Sequence, residues 1–474
     1  MGSKPKQIII TAAATILSAT AWFYGTGLHP IWILTWLAPL PILLVAPRLN
    51  RWVAFFAAFL AFAVGGLNLW SYGHDVAIPL WLALIVIIVP AFVFAGIALL
   101  HRRFLLRGQL LRAAFALPIL WTAFEYLVEV RSPHSTWGNL GYTQIDVLPL
   151  IQIASITGIW AISFTVFLFA GAVSALAAPV SGNKARLAAI VAGFYVVAFG
   201  YGAYRLYATP AAPTVKAGLI SDDTAHPLFP DGQKTLALAQ AYAAQIPAMA
   251  AQGAQVIILP EKIGRIEGSY LDQADVLFEQ AARQSHVTIF VSFQHQPNLH
   301  QARLYAPNGT LEALYEKHHM LPVFEGYLLP GTARVVVDRP SGKWGTEICK
   351  DMDFPLLSRQ YGNDGAGLML VPAWDFVVDG WLHQHMAILR GVESGFSIAR
   401  AAKQGMLSVS DSRGRILAQQ SSAALPGSAT APFSILVASV PVWRQSTFYA
   451  KTGNWFAWLD LILAISLLVS TKMR

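Results

Sequence analysis

The stretch Gly345-Thr-Glu-Ile-Cys349-Lys-Asp-Met-Asp-Phe-Pro355 holds the one cysteine among 474 residues. A β-prone run, Val335-Val336-Val337, and a turn at Pro340-Ser341-Gly342 lead into it. The Asp353-Phe354-Pro355 that follows cannot extend a strand, because proline has no N–H for the ladder. Cys349 is therefore expected at a strand end where the backbone turns sharply, a placement that presents a nucleophile at a sheet edge. By itself a single cysteine reads as a small buried hydrophobe. It cannot close an intramolecular disulfide, so its use is packing or reactivity.

Two further segments share this character. Val256-Ile-Ile-Leu-Pro260-Glu261 reads as a buried strand ending in a proline and a carboxylate. Tyr315-Glu-Lys317-His-His-Met-Leu-Pro322 sets a lysine just before another apolar-proline break. A carboxylate, an ammonium and a thiol, each at a strand end, suit acyl transfer. The carboxylate takes the thiol proton, the thiolate attacks a carbonyl, and the ammonium with a backbone N–H stabilises the oxyanion. The cation is also expected to lower the thiol pKa. Around these points, Val215–Ile220, Val256–Leu259, Val287–Phe293, Gly345–Ile348, Leu368–Val371, Ser397–Arg400, Gly405–Val409 and Ile435–Ser439 read as strands. Leu236–Ala251, Leu271–Ser285 and Trp381–Ser394 read as helices. The alternation argues a layered α/β domain over 214–441.

The rest of the chain is of another kind. The whole is 55% hydrophobic and 12% charged, with a mean hydropathy of +0.51. Apolar stretches of bilayer length fall near Ile8–Tyr24, Ile31–Val45, Trp52–Trp70, Ile78–Leu100, Ala113–Val128, Ile151–Ala177, Leu187–Tyr207 and Trp455–Val469. About eight spans are thus expected: seven in a transmembrane domain over 1–213, then the α/β insert, then one in 442–474. The net charge of +8 lies largely at the ends of those stretches, which argues for membrane orientation and against nucleic-acid binding. Lys4, Lys6, Arg48, Arg51, Arg102, Arg103, Arg107, Arg112, Lys184, Arg186, Lys472 and Arg474 fall on one side. The other side has only Arg131, against Asp75, Glu129 and Asp146. Both termini are therefore expected in the cytoplasm and the insert outside.

Pro260-Glu261, Lys317 and Cys349-Lys-Asp-Met-Asp-Phe-Pro355 resemble the Glu-Lys-Cys signature of the carbon–nitrogen hydrolase (nitrilase) superfamily. With the seven-span block and the last span, the chain resembles its membrane branch, the apolipoprotein N-acyltransferase family. Trp121 to Ile162, with Glu125, Trp137, Gly141-Tyr142-Thr143-Gln144-Ile145-Asp146 and Gly158, carries that resemblance further. So do Leu321-Pro322 through Glu325 and Tyr327, Ala373-Trp374, and His385 to Arg390 with Glu393 and Arg400-Ala401. The resemblance implies an αββα sandwich for the insert, with Cys349 as nucleophile, Glu261 as general base, Lys317 as oxyanion stabiliser and Glu325 as a further essential carboxylate. The implied reaction loads Cys349 with an acyl chain from a phospholipid donor and passes it to the amine of a diacylated lipoprotein acceptor. It implies a monomer in a bacterial inner membrane, with no cofactor.

Apolar residues of the loop Met320–Leu329, Phe324 and Tyr327 among them, are expected to enter the bilayer as a lid. Trp374 is expected in the pocket wall. Tyr142 and Gln144 are expected to meet a lipid headgroup, although an interfacial aromatic belt explains a tyrosine equally well. Glu125 and Glu129 read as interfacial carboxylates. Four departures from the family pattern stand out: Lys350 for tyrosine, Asp351 for glutamate, Lys262 after Glu261, and a short stretch between Lys317 and Cys349. Lys262 is expected to pair with Glu261 and weaken it as a base. His318-His319 and His383-Gln-His385 invite a metal reading, set aside because no third and fourth ligands stand at suitable spacing. An amidase or small-amine acyltransferase keeping the same triad is the alternative enzyme, and a transporter with a degenerate domain the alternative outside enzymes.

Overall fold

The computed structural model describes residues 4–76, 78–208, 211–222, 231–295, 298–423, 433–443 and 445–472. Runs such as Val256–Leu259 and Val287–Phe293 are apolar at every position, the pattern of strands covered on both faces. The described strands are β1 (Thr214–Asp222), β2 (Val256–Ile258), β3 (Thr288–His295), β4 (Leu299–Tyr305), β5 (Leu311–Glu316), β6 (Val336–Val337), β7 (Lys343–Thr346), β8 (Ala366–Trp374), β9 (Ser397–Lys403), β10 (Met406–Ser410), β11 (Ile416–Ser421) and β12 (Phe433–Pro441). They form two six-stranded sheets, ordered β12-β1-β2-β3-β4-β5 and β11-β10-β9-β8-β7-β6. The parallel pairs β1–β2–β3 and β7–β8–β9 lie at the centre of each sheet.

Alternate residues explain the layering. Ala217, Leu219, Val256, Ile258 and Phe290 of the first sheet pack against Leu368, Leu370, Ala399, Ala401, Leu407 and Val409 of the second. The odd partners Ile257, Ile289, Val291 and Phe293 face outward onto Ala239, Tyr242, Met249, Ala274 and Phe278 of the helices Gly232–Ala243, Ile246–Ala251 and Ser269–Ser285. Met369, Val371 and Ile398 of the second sheet face Leu357, Tyr361 and Ala387, on the helices Pro355–Asn363 and Gly380–Ser394. The order helix–sheet–sheet–helix follows. The helix expected over Leu236–Ala251 is two helices, since Pro247 lacks the donor that would continue the first.

The chain divides into two compact units, 1–208 with 452–474 and 209–451. Residues 442–451 stay with the α/β unit. Val442 N donates to Pro213 O, Thr447 Oγ1 bonds Glu393 O, and Asn363 Nδ2 donates to Ala450 O.

Six helices of the other unit are long and apolar enough to cross a membrane: Pro5–Gly25, Arg51–Asp75, Leu80–Leu106, Leu110–Arg131, Trp160–Ala177 and Lys184–Tyr207. Among the described residues the expected second and eighth spans are shorter apolar segments, Trp32–Arg48 and Trp455–Ser470. Trp32–Arg48 is broken into Trp32–Leu37, Leu40–Val45 and a last turn Ala46–Arg48, with Pro39, Pro41 and Pro47 at the joints. Side chain to main chain bonds in both directions tie it to the first helix. Thr35 Oγ1 bonds Gly25 O (2.5 Å), Ser18 Oγ bonds Ala38 O (2.5 Å), and Gln7 Nε2 donates to Arg48 O (2.8 Å). The segment therefore runs antiparallel along the first helix from one end to the other. The sixth stretch is also interrupted, at Gly158 (φ +71), so its helix begins only at Trp160. Helices Leu110–Arg131 and Trp160–Ala177 approach so closely that a Cβ on Gly171 would lie 2.3 Å from Ala114 O.

Candidate active site

β7 ends at Thr346, and two residues later Ile348 leads into a tight turn, Cys349–Asp353. Cys349 takes φ +45, a left-handed conformation that costs a residue with a Cβ about 1–3 kcal/mol. The fully buried Asp351 holds the turn in that shape. Its carboxylate accepts from Ile348 N (3.1 Å), Tyr315 Oη (2.7 Å), His318 N (3.1 Å) and His319 N (2.8 Å), and pairs with His319 Nδ1 (3.0 Å). Burial works against the charge of Asp351. His319, Tyr315 and Lys317 outweigh it and hold the carboxyl below its usual range. One side chain thus ties the Cys349 turn to the segment that follows β5.

That segment starts at Lys317. Its Nζ donates to Glu261 Oε1 (2.8 Å) and Glu325 Oε2 (2.7 Å), with all three side chains buried. Glu261 sits beyond the end of β2, and its N–H bonds Ala373 O across the sandwich (3.1 Å). Glu325 closes the short helical turn Pro322–Glu325 and accepts from Leu321 N (3.0 Å). Lys262, expected beside Glu261, places its ammonium on Glu325 Oε1 at 2.9 Å. Two carboxylates and two ammoniums therefore balance in one buried cluster, as an uncompensated buried charge would cost several kcal/mol. Burial opposes the charge on Lys317, but Glu261 and Glu325 raise its pKa well above the ordinary lysine value. Burial also opposes the charge of Glu325, yet Lys317, His300 and Lys262 hold it far below the carboxylate range.

The thiol of Cys349 is half-buried, and its Sγ donates to Trp374 O at 3.5 Å. Burial pushes its pKa up and the nearby Glu261 charge adds to this. Lys317 and Arg400 pull it down but do not prevail. The expected lowering by lysine is present as an influence and reversed in the net. The resting group is therefore a thiol. Behind Trp374, Asp375 is gripped by both guanidinium nitrogens of Arg400, and Lys403 lies 4.5 Å over the Trp374 ring.

His300, which sequence reasoning passed over, brings Nδ1 to 3.6 Å from Glu261 and 3.5 Å from Glu325, with Nε2 on Ser292 Oγ (3.1 Å). Burial lowers its pKa, so it stands neutral beside the cluster. Glu261, His300 and Glu325 bring ligand-type atoms within 4.8 Å of one another. A dication there would have to displace both ammoniums from the carboxylates, so the donor set fits the lysines better than a metal. His318 stacks on Tyr315, His319 on Phe354 (3.6 Å), and His385 on Trp381 (3.7 Å), which accounts for three histidines of the metal-type pairs.

Phe324 and Tyr327 lie on the exposed loop after Lys317. Tyr327 Oη bonds Gln294 Oε1 (3.1 Å) and the Phe324 ring packs on Phe376 (5.5 Å). Val323, Leu329, Val377 and Val378 are exposed beside them. In the membrane unit, Tyr142 and Gln144 correct their expectation: both are buried and bonded internally. Tyr142 Oη pairs with Thr136 Oγ1 (2.6 Å). Gln144 accepts from Trp36 Nε1 (2.7 Å) and donates to Trp32 O (3.1 Å). Gln144 ties the turn Leu140–Gln144 to the broken segment and Tyr142 ties it to Thr136, instead of facing a headgroup. Glu125 is likewise buried, accepting from Leu140 N (2.8 Å).

Residues 17–172 match the apolipoprotein N-acyltransferase N-terminal domain and residues 224–450 match the carbon-nitrogen hydrolase domain, in that order along one chain. An apolipoprotein N-acyltransferase of Geobacter metallireducens is 26% identical over 96% of this chain and 93% of its own length. One of Haemophilus ducreyi is 25% identical over 90% of each. The chain belongs to the apolipoprotein N-acyltransferase family. Among solved structures, an amidase from Nesterenkonia sp. aligns with 53% of this chain and 98% of its own, at 18% identity and a TM-score of 0.43. In this member of the apolipoprotein N-acyltransferase family, His300 is the position that left no trace in the sequence, whereas Asp351 and Arg400 stood out there through the resemblance alone, without the partners the structure gives them.

Proposed function

We propose that the protein moves a fatty acyl chain from a phospholipid, through a thioester on Cys349, to the N-terminal amine of a diacylglyceryl-cysteine lipoprotein. The observation that carries this reading is the site itself. The one thiol of the chain is held in a strained turn under the influence of Glu261 and Lys317, in a chain whose relatives bear this activity in their name.

The geometry supports the following course. Glu261 takes the Cys349 proton as sulfur attacks the ester carbonyl, and the Lys317 ammonium stabilises the oxyanion. The carbonyl carbon–oxygen bond to glycerol breaks, the leaving oxygen takes the proton back from Glu261, and a lysophospholipid departs. In the second half the lipoprotein amine attacks the thioester, the C–S bond breaks, and the proton lost by the amine returns to the thiol through Glu261. Glu325 and Lys262 act through Lys317, fixing where its ammonium points. Trp374 holds the thiol through its carbonyl. The exposed side chains of Val323, Phe324, Tyr327, Leu329, Val377 and Val378 enter the outer leaflet and guide acyl chains toward the sulfur.

The reading extends to topology. Because Trp32–Arg48 runs the full height of the first helix, it is proposed to cross, which with Trp455–Ser470 makes eight crossings in a bacterial inner membrane. Arg48, Arg51 and Arg102 then share a side with Lys4 and Lys6; Arg102 donates to Leu49 O (2.7 Å). Both termini are cytoplasmic, the α/β unit is periplasmic, and the enzyme works as a monomer. The test is incubation of purified protein with labelled phospholipid and a diacylated lipopeptide. Label on the peptide amine, with an acyl mass on Cys349 that Cys349→Ala lacks, is expected. Amine acylation without phospholipid, or none at all, overturns the reading.

A further inference from the structure

The chemistry proposed above leaves His383 unused. It lies in the first turn of the helix Gly380–Ser394, with a side chain only 17% exposed. Its Nε2 is 3.3 Å from Asp379 Oδ2, and its Nδ1 is 4.0 Å from Asp353 Oδ1. These two carboxylates belong to different parts of the site. Asp353 ends the turn that begins at Cys349, and its other oxygen pairs with Lys350 Nζ at 3.2 Å. Asp379 accepts from Phe376 N (3.0 Å) and so shapes the loop of Phe376, Val377 and Val378. Phe376 packs on Phe324, the neighbour of Glu325. One imidazole therefore stands between the nucleophile turn and the loop that backs the Glu325 segment.

We propose that His383 is a positioning residue, whose bridge between Asp379 and Asp353 keeps the Cys349 turn in register with the Phe376–Val378 loop. The inference rests on Cys349 being the acylated nucleophile. The groups facing the imidazole are Asp379 on its own helix cap, Asp353 on the nucleophile turn and Asp375 at the end of β8. The nearby cations Lys350 and Arg400 are engaged by Asp353 and Asp375. Burial would discharge the ring, but Asp379, Asp353 and Asp375 outweigh it and raise its pKa to about 9. The folded value lies above the ordinary one. The bridge is thus complete below the usual histidine range, persists at neutral pH and is lost as pH rises through about 9. Lys350, a departure from the family pattern, here completes the charge balance of Asp353.

The test uses the full chain in detergent and reads the burst of p-nitrophenolate from p-nitrophenyl butyrate, one per acylated Cys349, across the neutral to alkaline range. His383→Gln is expected to slow the burst about 10-fold at neutral pH while keeping its amplitude. The deficit should close above the pH at which the wild type loses its own charge. His383→Arg, which keeps a cation, should recover most of the rate and lose the wild-type alkaline decline. A His383→Gln rate equal to wild type at neutral pH overturns the inference, and so does a deficit of the same size at every pH, which marks packing alone. Should His383→Gln lose amplitude through misfolding, His383→Arg decides: an alkaline decline like that of the wild type overturns the bridge. A wild-type burst without acyl transfer from phospholipid would remove the lipid reading and leave this inference intact.

Discussion

Both units bury polar side chains, but they do so for different ends. In the membrane unit Ser18, Thr35, Gln144 and Glu125 each bond a backbone group where a helix is interrupted: Ala38 O, Gly25 O, Trp32 O and Leu140 N. Such groups repair the main chain where its own helical bonds stop. Around the thiol of the α/β unit, buried ionised side chains pair with one another, as in Lys317 with Glu261 and Glu325, Lys262 with Glu325, and Arg400 with Asp375. They surround a half-buried thiol whose pKa is raised first by burial and then by Glu261, against the pull of Lys317. Burial of a polar group is therefore a poor guide to chemistry, and the identity of its partner is a good one.

Substitutions can break that contrast. The largest effect is expected from Glu261→Gln, which keeps the shape but removes the carboxylate proposed as the base. Thioester formation should fall about 10²–10⁴-fold, read by the acyl mass on Cys349, with the fold intact. Next is Lys317→Met, which leaves Glu261 and Glu325 without their shared cation. A cost of about 3–5 kcal/mol in denaturant unfolding is expected. In the membrane unit, Glu125→Ala should cost about 1–3 kcal/mol by orphaning Leu140 N, whereas Glu125→Gln keeps an acceptor and should unfold like wild type. Acyl transfer per folded molecule should be unchanged in both Glu125 variants, and a loss in Glu125→Gln alone would move that carboxylate into the chemistry. The smallest effect concerns the thiol. Iodoacetamide modification should still be rising with pH beyond the ordinary cysteine range. Glu261→Gln should shift that rise to lower pH, because a like charge has gone, and Lys317→Met to higher pH.

The trio of strand ends was legible because apolar runs stop at prolines, and those breaks in the structure coincide with Glu261, Lys317 and Cys349 at or just past strand termini. β4 was not. Its buried His300, Gln301 and Arg303 look like loop residues until Asp275 is seen to neutralise Arg303 (2.6 Å). The exposed edge strand β11 has no apolar face to announce it. In the membrane unit apolar length found Trp32–Arg48 but hid its breaks, because the groups that mend them lie on the first helix and at Gln144. The sign of the thiol shift was out of reach for a similar reason: it depends on burial, and only the fold sets that against the lysine.

One consequence follows from the solitary sulfur in this sequence. If peroxide converts Cys349 to a sulfenic acid, no second sulfhydryl in the sequence can condense with it and shield it from further oxidation. Recovery then depends on a reductant from outside the molecule, so how long the thiol survives peroxide is set by the thiol supply of its surroundings.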